Sequence, residues 1–439
     1  LNTWLYLQDN IKEIMFRIIY ASSDATMYEA TSSVKYNTGL DEILEVSKQL
    51  DTDGETLVKS RFVVKFDMDD ITKTLTKYSI DLNSCKFMLQ LFTTHAKNLP
   101  ADYTLDAKLM GQTWTNGTGF ESDTTATTDG ISWFQPHASW SYDQYHPEIL
   151  NTQDNTDIIT EDGLYNLGTQ PTQTLSGSSW ISSSQQINTG APSLYISGSG
   201  SGGSWLYQTG STTFNDAIFD TSYFYQPGLD TDEAFSYRPT DINMNVTEAI
   251  KTWISGSGGV AVENNGFLIK FSDADEADGT KTGIIRFFSR ETHTIYVPRI
   301  TMYWDQSTFA TGSLSAVDLD SYLTYSKTKP TYKDTEITKI RIFARDKFPK
   351  KSPTNLFPTE TVKFLPTTTF YAIRDAATDE YIIPFDNIYN KVSCDSTSNF
   401  IHVDMNSFMP ERYYRIELKI EDGFTEDYID DEIYFKVVR

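Results

Sequence analysis

Short runs of alternating apolar and polar residues recur along most of the chain, and turn-forming residues separate them. Leu44–Val46 and Arg61–Phe66 are short apolar runs, and the turn sequence Asp51–Gly54 lies between them, which predicts a hairpin. Phe87–Leu91 and Tyr103–Leu109 show the period of two that strands require. Successive strands of this length predict an all-β fold built as a sandwich.

One segment has the spacing of a helix instead. In Asn245–Gly256 the apolar residues recur at helical spacing, and Asn245 and Glu248 are spaced as in a capping box. Gly256 follows the last turn, where glycine commonly ends a helix. The pattern therefore predicts a short helix inside the all-β region.

The strand pattern divides the chain into two predicted domains. A jelly-roll-like β-sandwich is expected over residues 1–305, and a Ser- and Thr-containing linker over residues 306–333. Residues 334–439 hold about six further strand patterns, a spacing that suits an Ig-like sandwich.

Residues 111–240 interrupt the first predicted sandwich with a different composition. They hold a single basic residue, Arg238, against fourteen acidic ones, and five of the eight tryptophans. Residues 195–210, with the sequence YISGSGSGGSWLYQTG, look like a flexible tether, yet tryptophans beside Gly and Ser are typical of long loops that aromatic side chains pin to a domain. We therefore expect a long loop-rich insertion.

Charge and apolar content limit the partners. The 439 residues carry a net charge of −24, with 60 acidic against 36 basic side chains, so the protein is expected to repel nucleic acid and anionic lipid. Most of the excess negative charge precedes residue 306. No run of about 18 apolar residues is present, which predicts no membrane-spanning segment. The chain begins at Leu1 without Met, which indicates a trimmed start.

The candidate chemistry is sparse. The sequence contains no nucleophile elbow, phosphate-binding loop or dinucleotide fingerprint, so we expect no enzymatic activity. Cys85 and Cys394 lie in different predicted domains and are expected to be reduced and buried. The acidic turn with Asp273, Asp275 and Asp278 leaves two interpretations open, a calcium site or a solvated acidic hairpin, and no other cofactor is predicted.

Aromatic side chains of the insertion are the main candidates for binding. Together with Asp, Asn and Gln neighbours, such side chains can stack on sugar rings and bind their hydroxyl groups. They would equally serve as anchors of their own loops or as contacts in a subunit interface. The candidates are Trp133, Trp140, Tyr142, Trp180 and Trp205.

Several segments, taken in order, resemble the DNRLRE-type β-sandwich module, which is also classed among carbohydrate-binding modules. The family pattern has an early strand with Asn and Gly, an Arg-led strand ending in Phe-Asp, a short helix with Trp, and a final strand. Asn37 and Gly39, Arg61–Asp67, Val246–Trp253 and Phe288–Trp304 stand in those positions. The resemblance implies that the segments on both sides of the insertion form one sandwich.

The C-terminal segments resemble a different group. The sequences YYRIELKI, IIPFD and CDSTSNFIHVDMNSFMPERYY are similar to the C-terminal Ig-like part of structural proteins of large tailed phages, T4-like marine phages in particular. This resemblance implies a non-enzymatic virion protein of the tail, neck or collar, in contact with copies of itself and with other tail, neck or portal-associated proteins. The alternative is a secreted or surface carbohydrate-binding or adhesin module, located outside the cell and bound to a surface glycan.

Overall fold

Strands dominate the structure. In the described ranges they form mostly antiparallel ladders and the helices are few and short, so the predicted all-β class is confirmed. The computed structural model describes residues 15–30, 37–100, 103–123, 127, 129–137, 157–160, 163–166, 179–182, 184–186, 193–209, 220–225, 241–256, 262–423 and 425–439.

The strands and helices are named in chain order. The strands are β1 (Phe16–Tyr28), β2 (Ile43–Leu50), β3 (Leu57–Phe66), β4 (Lys86–Leu91), β5 (Thr93–Lys97), β6 (Tyr103–Leu109), β7 (Asp157–Thr160), β8 (Gly163–Asn166), β9 (Gln185–Gln186), β10 (Ser193–Gly198), β11 (Ser204–Thr209), β12 (Asp220–Tyr225), β13 (Ile242–Asn245), β14 (Phe267–Phe271), β15 (Gly283–Phe288), β16 (Arg299–Tyr303), β17 (Tyr322–Lys327), β18 (Thr331–Lys333), β19 (Ile337–Asp346), β20 (Thr369–Asp375), β21 (Tyr381–Ile383), β22 (Ser393–Cys394), β23 (Asn399–Asp404), β24 (Arg412–Asp422) and β25 (Thr425–Val438). The α-helices are α1 (Met68–Tyr78), α2 (Thr247–Ser255) and α3 (Asp273–Ala277), and short 3-10 helices are Leu82–Ser84, Pro358–Glu360 and Met405–Ser407.

The chain divides into two compact units. The larger unit comprises Ile19–Thr72 and Phe87–Ile300. The C-terminal unit comprises Thr301–Arg439 together with residues 15–18 and Lys73–Lys86. Each unit is therefore assembled from segments that are distant in the sequence.

Two aromatic contacts explain why the C-terminal unit includes segments from the start of the chain. The ring of Phe16 meets Phe408 edge to face with 5.9 Å between centroids, and Tyr78 stacks on Trp304 at 6.3 Å. The C-terminal unit therefore begins at Thr301 rather than after residue 305, and it includes Phe16 and Tyr78, whose packing partners Phe408 and Trp304 belong to its last segment.

The larger unit combines strands from both sides of the insertion. Five of its strands run side by side in the order β12, β6, β14, β3, β1. The first residues of β3 also pair with β2, which continues to β15 and then to β5. Because β3 precedes the insertion and its neighbour β14 follows it, both flanks contribute to one sheet.

The C-terminal unit contains two sheets. One has the strand order β17, β19, β23, β22, and the other has the order β18, β25, β24, β20, β21. With β17 as strand A, β18 as A′, β19 as B, β20 as C, β21 as C′ and β22 to β25 as D to G, these are the ABED and GFC sheets of the immunoglobulin fold, and A′ and C′ flank the second sheet. The O–H of Tyr414, near the start of β24, donates to the backbone oxygen of Met409 at 2.9 Å, as in the tyrosine corner of such domains.

The structure corrects the linker predicted over residues 306–333. Strands β17 and β18 lie inside that range, where β17 pairs antiparallel with β19 and β18 pairs parallel with β25. In β17 the exposed Leu323 and Tyr325 alternate with the partly buried Thr324 and Ser326. Because the inward side chains are polar, this strand does not show up as an apolar pattern, and the sandwich begins before residue 334.

The predicted short helix is present as α2, with a difference at its start. The side chain of Asn245 accepts the N–H of Thr247 at 3.1 Å, but Val246 is the capping position, so the helix begins one residue later than a cap at Asn245 would place it. Gly256, with φ of 77°, ends the helix as predicted.

Candidate protein-interaction surface

The glycine-rich stretch of the insertion is the turn of a β-hairpin. Strands β10 and β11 pair antiparallel, with Tyr195 opposite Tyr207. In the turn between them, the N–H of Gly202 donates to the backbone oxygen of Trp133 at 2.6 Å. A Cβ atom on Gly202, whose φ is +67°, would lie 2.8 Å from the Trp133 ring, so glycine permits this close approach. The stretch is therefore a docked loop.

Two of the predicted binding tryptophans are core residues. The exposed fraction is 4% for Trp133 and 2% for Trp180, and both pack in a cluster with Met110 and Leu268. The indole N–H of Trp180 donates to the backbone oxygen of Ser132 at 3.1 Å. Rings buried in this way offer no face to a sugar. The structure thus corrects the glycan-stacking interpretation of these two side chains and makes them anchors of their own loops.

The other aromatic candidates differ from this pair. Trp205 is partly buried in β11, and the ammonium nitrogens of Lys108 and Lys270 lie 5.6 and 5.7 Å from its ring centroid. Cation–π contacts of this kind link the hairpin to β6 and β14. Trp140 and Tyr142 lie outside the described residues.

A buried ionic network lies beside Trp133. The guanidinium of Arg61 donates to both carboxylate oxygens of Glu276, at 2.9 and 2.6 Å, and to the backbone oxygen of Gly202 at 2.7 Å. The ammonium of the fully buried Lys270 lies 3.3 Å from Glu276, and burial lowers the pKa of this lysine. Because an unpaired buried charge is costly, these pairs favour a single position of the hairpin on the unit.

The acidic turn considered as a calcium site is paired with lysines instead. Asp273, at the start of α3, lies 2.6 Å from Lys270, and Asp275 lies 2.6 Å from Lys281. Asp278 accepts hydrogen bonds from the turn that follows α3. Among the residues that the structure describes, no three Asp, Glu, His or Cys side chains are grouped to hold a metal ion. Asp273, with a side chain 68% exposed, fits the solvated acidic turn, whereas Asp275 is buried.

Both cysteines are free and buried, which confirms their predicted state. Burial, assisted by the charge of Asp395, raises the pKa of the Cys394 thiol to about 11. Its thiolate is therefore scarce at neutral pH, and the side chain acts as part of the core.

Large apolar side chains are exposed mainly in the C-terminal unit. In the described ranges the highest exposed fractions are 77% for Phe348, 68% for Phe357, 64% for Leu356 and 62% for Tyr428. Groups of exposed apolar side chains are uncommon on monomeric domains and mark sites of contact with another molecule. None of these residues stands out in the sequence as a binding candidate.

These side chains lie at one end of the immunoglobulin-like sandwich. Phe348, Leu356 and Phe357 belong to the loop between β19 and β20, and Tyr428 lies at the start of β25. In the lettering of the fold they are on the B–C loop and beside the F–G turn, the end that variable domains use for recognition. We call residues 318–323, 347–358 and 427–431 together the loop-end surface.

The loop-end surface contains two hollows. One, of about 470 Å³, is lined by Phe348, Pro349 and Pro358 among others. The other, of about 570 Å³, is lined by Phe348, Tyr428 and several aspartates, among others. Because Phe348 lines both, the two hollows are neighbours.

The loop-end surface carries charges of both signs. The loop carries three exposed lysines, Lys347, Lys350 and Lys351. The second hollow is lined by Lys347 and by four aspartates, which are Asp320, Asp427, Asp430 and Asp431. Burial, together with the hydrogen bond that Tyr322 donates to Asp427 at 2.7 Å, raises the pKa of this tyrosine. The exposed lysines of the loop thus lie next to a hollow that has an excess of negative charge.

No protein-family model and no curated protein matches the chain. Within the described ranges, no helix combines the length and apolar composition needed to cross a membrane. The loop-end surface is the feature of the described residues from which a function can be argued.

Proposed function

We propose that the protein is a non-enzymatic structural component of a tailed-phage virion, in the tail, neck or collar, that works by binding other proteins. The observation that carries the proposal is the loop-end surface, where Phe348, Leu356 and Phe357 each expose more than half of their area. Burial of such exposed apolar groups against a partner is favourable, because it removes apolar surface from water. The expected partners are copies of this chain and neighbouring tail, neck or portal-associated proteins.

The architecture suits this role. An immunoglobulin-like sandwich holds its loops on a rigid frame, so the side chains of the B–C loop and the F–G turn are presented without a large loss of entropy on binding. In the larger unit, the Gly202 turn and the Arg61 network fix the insertion to the sheet. Such pre-organised surfaces are what a repeated assembly requires. The resemblance of the sequence to phage structural proteins supplies the class of assembly.

The alternative, a secreted carbohydrate-binding or adhesin module, loses two of its candidates in this structure. Trp133 and Trp180 are covered by the larger unit itself. Trp205 already faces the ammonium groups of Lys108 and Lys270. Protein contact is therefore favoured over sugar binding.

Purified particles provide the test of this function. Quantitative mass spectrometry should find the chain at a fixed copy number relative to the major capsid protein, and washing with concentrated salt should leave that ratio unchanged. Loss of the chain on washing, or a ratio that varies between preparations, would contradict a structural role. In parallel, the isolated protein should show no saturable binding to neutral or acidic polysaccharides, whereas binding that Trp205→Ala abolishes would support the alternative.

A further inference from the structure

The loop-end surface carries charges of both signs within one patch. Lys350 and Lys351 are exposed on the B–C loop, while Asp320 and Asp430 line the second hollow, in which four aspartates outnumber the single Lys347. Phe348 lines both hollows. An apolar centre with a charged rim is the usual anatomy of a protein interface.

We propose that this surface joins two copies of the chain through a two-fold axis. The lysine-bearing loop of one copy lies against the aspartate-lined hollow of the other, and the same contact is repeated in the opposite direction. The inference rests on the proposed function, because it names one of the contacts through which the virion protein would assemble.

The geometry of a two-fold contact explains why a second copy is the occupant. In such an interface the same patch is used by both partners, so residue i of one copy meets residue j of the other, and j meets i. A patch can satisfy this condition only if it carries both members of each attractive pair. The loop-end surface does so, with lysines on the B–C loop and aspartates around Tyr428.

A contact with the acidic face of the larger unit fits less well. That face has a hollow of about 420 Å³ lined by five carboxylates, which are Asp41, Glu42, Glu45, Asp51 and Glu121. The lysines of the B–C loop would be attracted to it, but Asp320 and Asp430 would meet carboxylates of the same sign. Like charges brought together in an interface cost several kcal/mol, so a head-to-tail arrangement is disfavoured.

Charge reversal in the full-length chain tests the two-fold contact. One variant carries Lys350→Glu and Lys351→Glu, and the other carries Asp320→Lys and Asp430→Lys. The wild-type chain should sediment as a dimer at low ionic strength, and each variant alone should dissociate with a Kd raised by about 100-fold or more, because both contacts of its homodimer become repulsive. Asp430→Lys places an ammonium beside Arg415, which is 3.4 Å from Asp430 and keeps Asp379 and Glu417 as partners, so circular dichroism of the variant must show that the fold is retained.

An equimolar mixture of the two variants gives the decisive result. In a mixed dimer the acidic loop faces the basic hollow and the basic loop faces the acidic hollow, so the dimer should return with one copy of each. The control variant Lys327→Glu with Lys333→Glu makes the same change of charge at exposed lysines of the same unit and should leave the wild-type dimer intact.

Several outcomes would overturn the interface. A wild-type chain that stays monomeric at high micromolar concentration, an assembly that grows beyond dimers, or a mixture that stays monomeric while both variants keep wild-type circular dichroism would each do so. Particle stoichiometry separates this failure from failure of the function. A fixed copy number in particles with no dimer would remove the interface alone, while a dimer of a chain absent from particles would leave the interface and remove the virion role.

Discussion

The insertion of the larger unit and the loop end of the C-terminal unit are both rich in aromatic residues and in Gly or Pro, yet their aromatic side chains have opposite fates. Trp133 is 4% exposed, whereas Phe348 is 77% exposed. The difference lies in what the rest of the chain supplies. Trp133 is met by Arg61 and by the turn at Gly202, while Phe348 is met by its neighbour Lys347, 5.7 Å from the ring centroid, and stays exposed. An aromatic residue in a loop is thus an anchor or a contact site according to partners that are remote in sequence.

Removal of the Trp133 ring should produce the largest loss of stability. Trp133→Ala leaves a cavity in a packed cluster, so the free energy of unfolding of the larger unit should fall by about 3–5 kcal/mol. Phe357→Ala removes an exposed ring and should change stability by about 0.5 kcal/mol or less. Urea unfolding followed by tryptophan fluorescence measures both. Losses of similar size for the two variants would show that burial does not separate these regions.

Removal of the Arg61 guanidinium should have the next largest effect. Arg61→Ala leaves Glu276 buried with Lys270 as its remaining partner at 3.3 Å, and we expect a loss of about 3 kcal/mol, at the lower end of the range for broken buried pairs. Lys350→Ala removes an exposed cation of the loop-end surface and should cost about 0.5 kcal/mol or less. Thermal unfolding of the two variants checks the contrast. A loss below about 1 kcal/mol for Arg61→Ala would mean that the network is solvated, as surface pairs are.

Two glycines separate backbone strain from close packing. Gly202 and Gly54 have positive φ of 67° and 73°, but a Cβ on Gly202 would meet Trp133 and Arg61 whereas one on Gly54 would meet nothing within 4 Å. In both alanine variants a non-glycine residue must adopt a left-handed backbone conformation, which should lower the stability by about 1–2 kcal/mol. Gly202→Ala should lose about 1–3 kcal/mol more, because the added carbon overfills the contact. Equal losses of unfolding free energy for the two variants in denaturant titrations would show that the Gly202 turn does not contact the Trp133 indole in solution.

The pH dependence of stability should differ between the two units. Burial raises the pKa of Asp24 in the larger unit to about 7, against the ordinary value of 3.8, although its carboxylate accepts the N–H of Arg290. The folded state therefore holds this proton more tightly than the unfolded state, and stability should fall as the pH rises from about 4 to about 7, by at most about 1.4 kcal/mol per pH unit.

The C-terminal unit should show the opposite trend at acid pH. Burial opposes ionisation of Asp375, but hydrogen bonds from Arg412 and from backbone N–H groups hold the pKa of this carboxyl below its ordinary value. Its contribution is present above about pH 4 and is lost as the pH falls through the lowered pKa. Denaturant titrations from pH 3 to pH 8 measure both trends. Asp24→Asn should flatten the slope of unfolding free energy against pH between pH 5 and pH 7. An unchanged slope would show that other groups cause this pH dependence.

The sequence predicts the strands well where apolar residues alternate, as in β4 and β19, because one periodic face fills the core. It misses α1. There the side chain of Asp67 accepts the N–H of Asp69 at 2.9 Å, and Ile71 and Tyr78 are buried on one face. Three β-branched threonines in the same stretch favour strands and mask this helical spacing.

The loop-end surface is harder to predict than the fold. Phe348, Leu356 and Phe357 stand among lysines and prolines in the sequence, without a periodic partner. The lack of a periodic apolar partner predicts that these three side chains are exposed. It does not predict which surface they form, because that depends on the immunoglobulin-like strand order, which places the B–C loop beside β25. For the same reason the burial of Trp133 cannot be read from its neighbours, since Arg61 and Gly202 reach it from far along the chain.

Hydroxyl-radical footprinting of the chain, isolated and then assembled in particles, tests the central contrast most directly. In the isolated chain at low concentration Phe348 and Phe357 should oxidise readily while Trp133 and Trp180 stay protected, and assembly should protect both phenylalanines. Ready oxidation of the two tryptophans in the isolated chain, or no change at Phe348 and Phe357 on assembly, would contradict the assignment of one region as anchor and the other as contact surface.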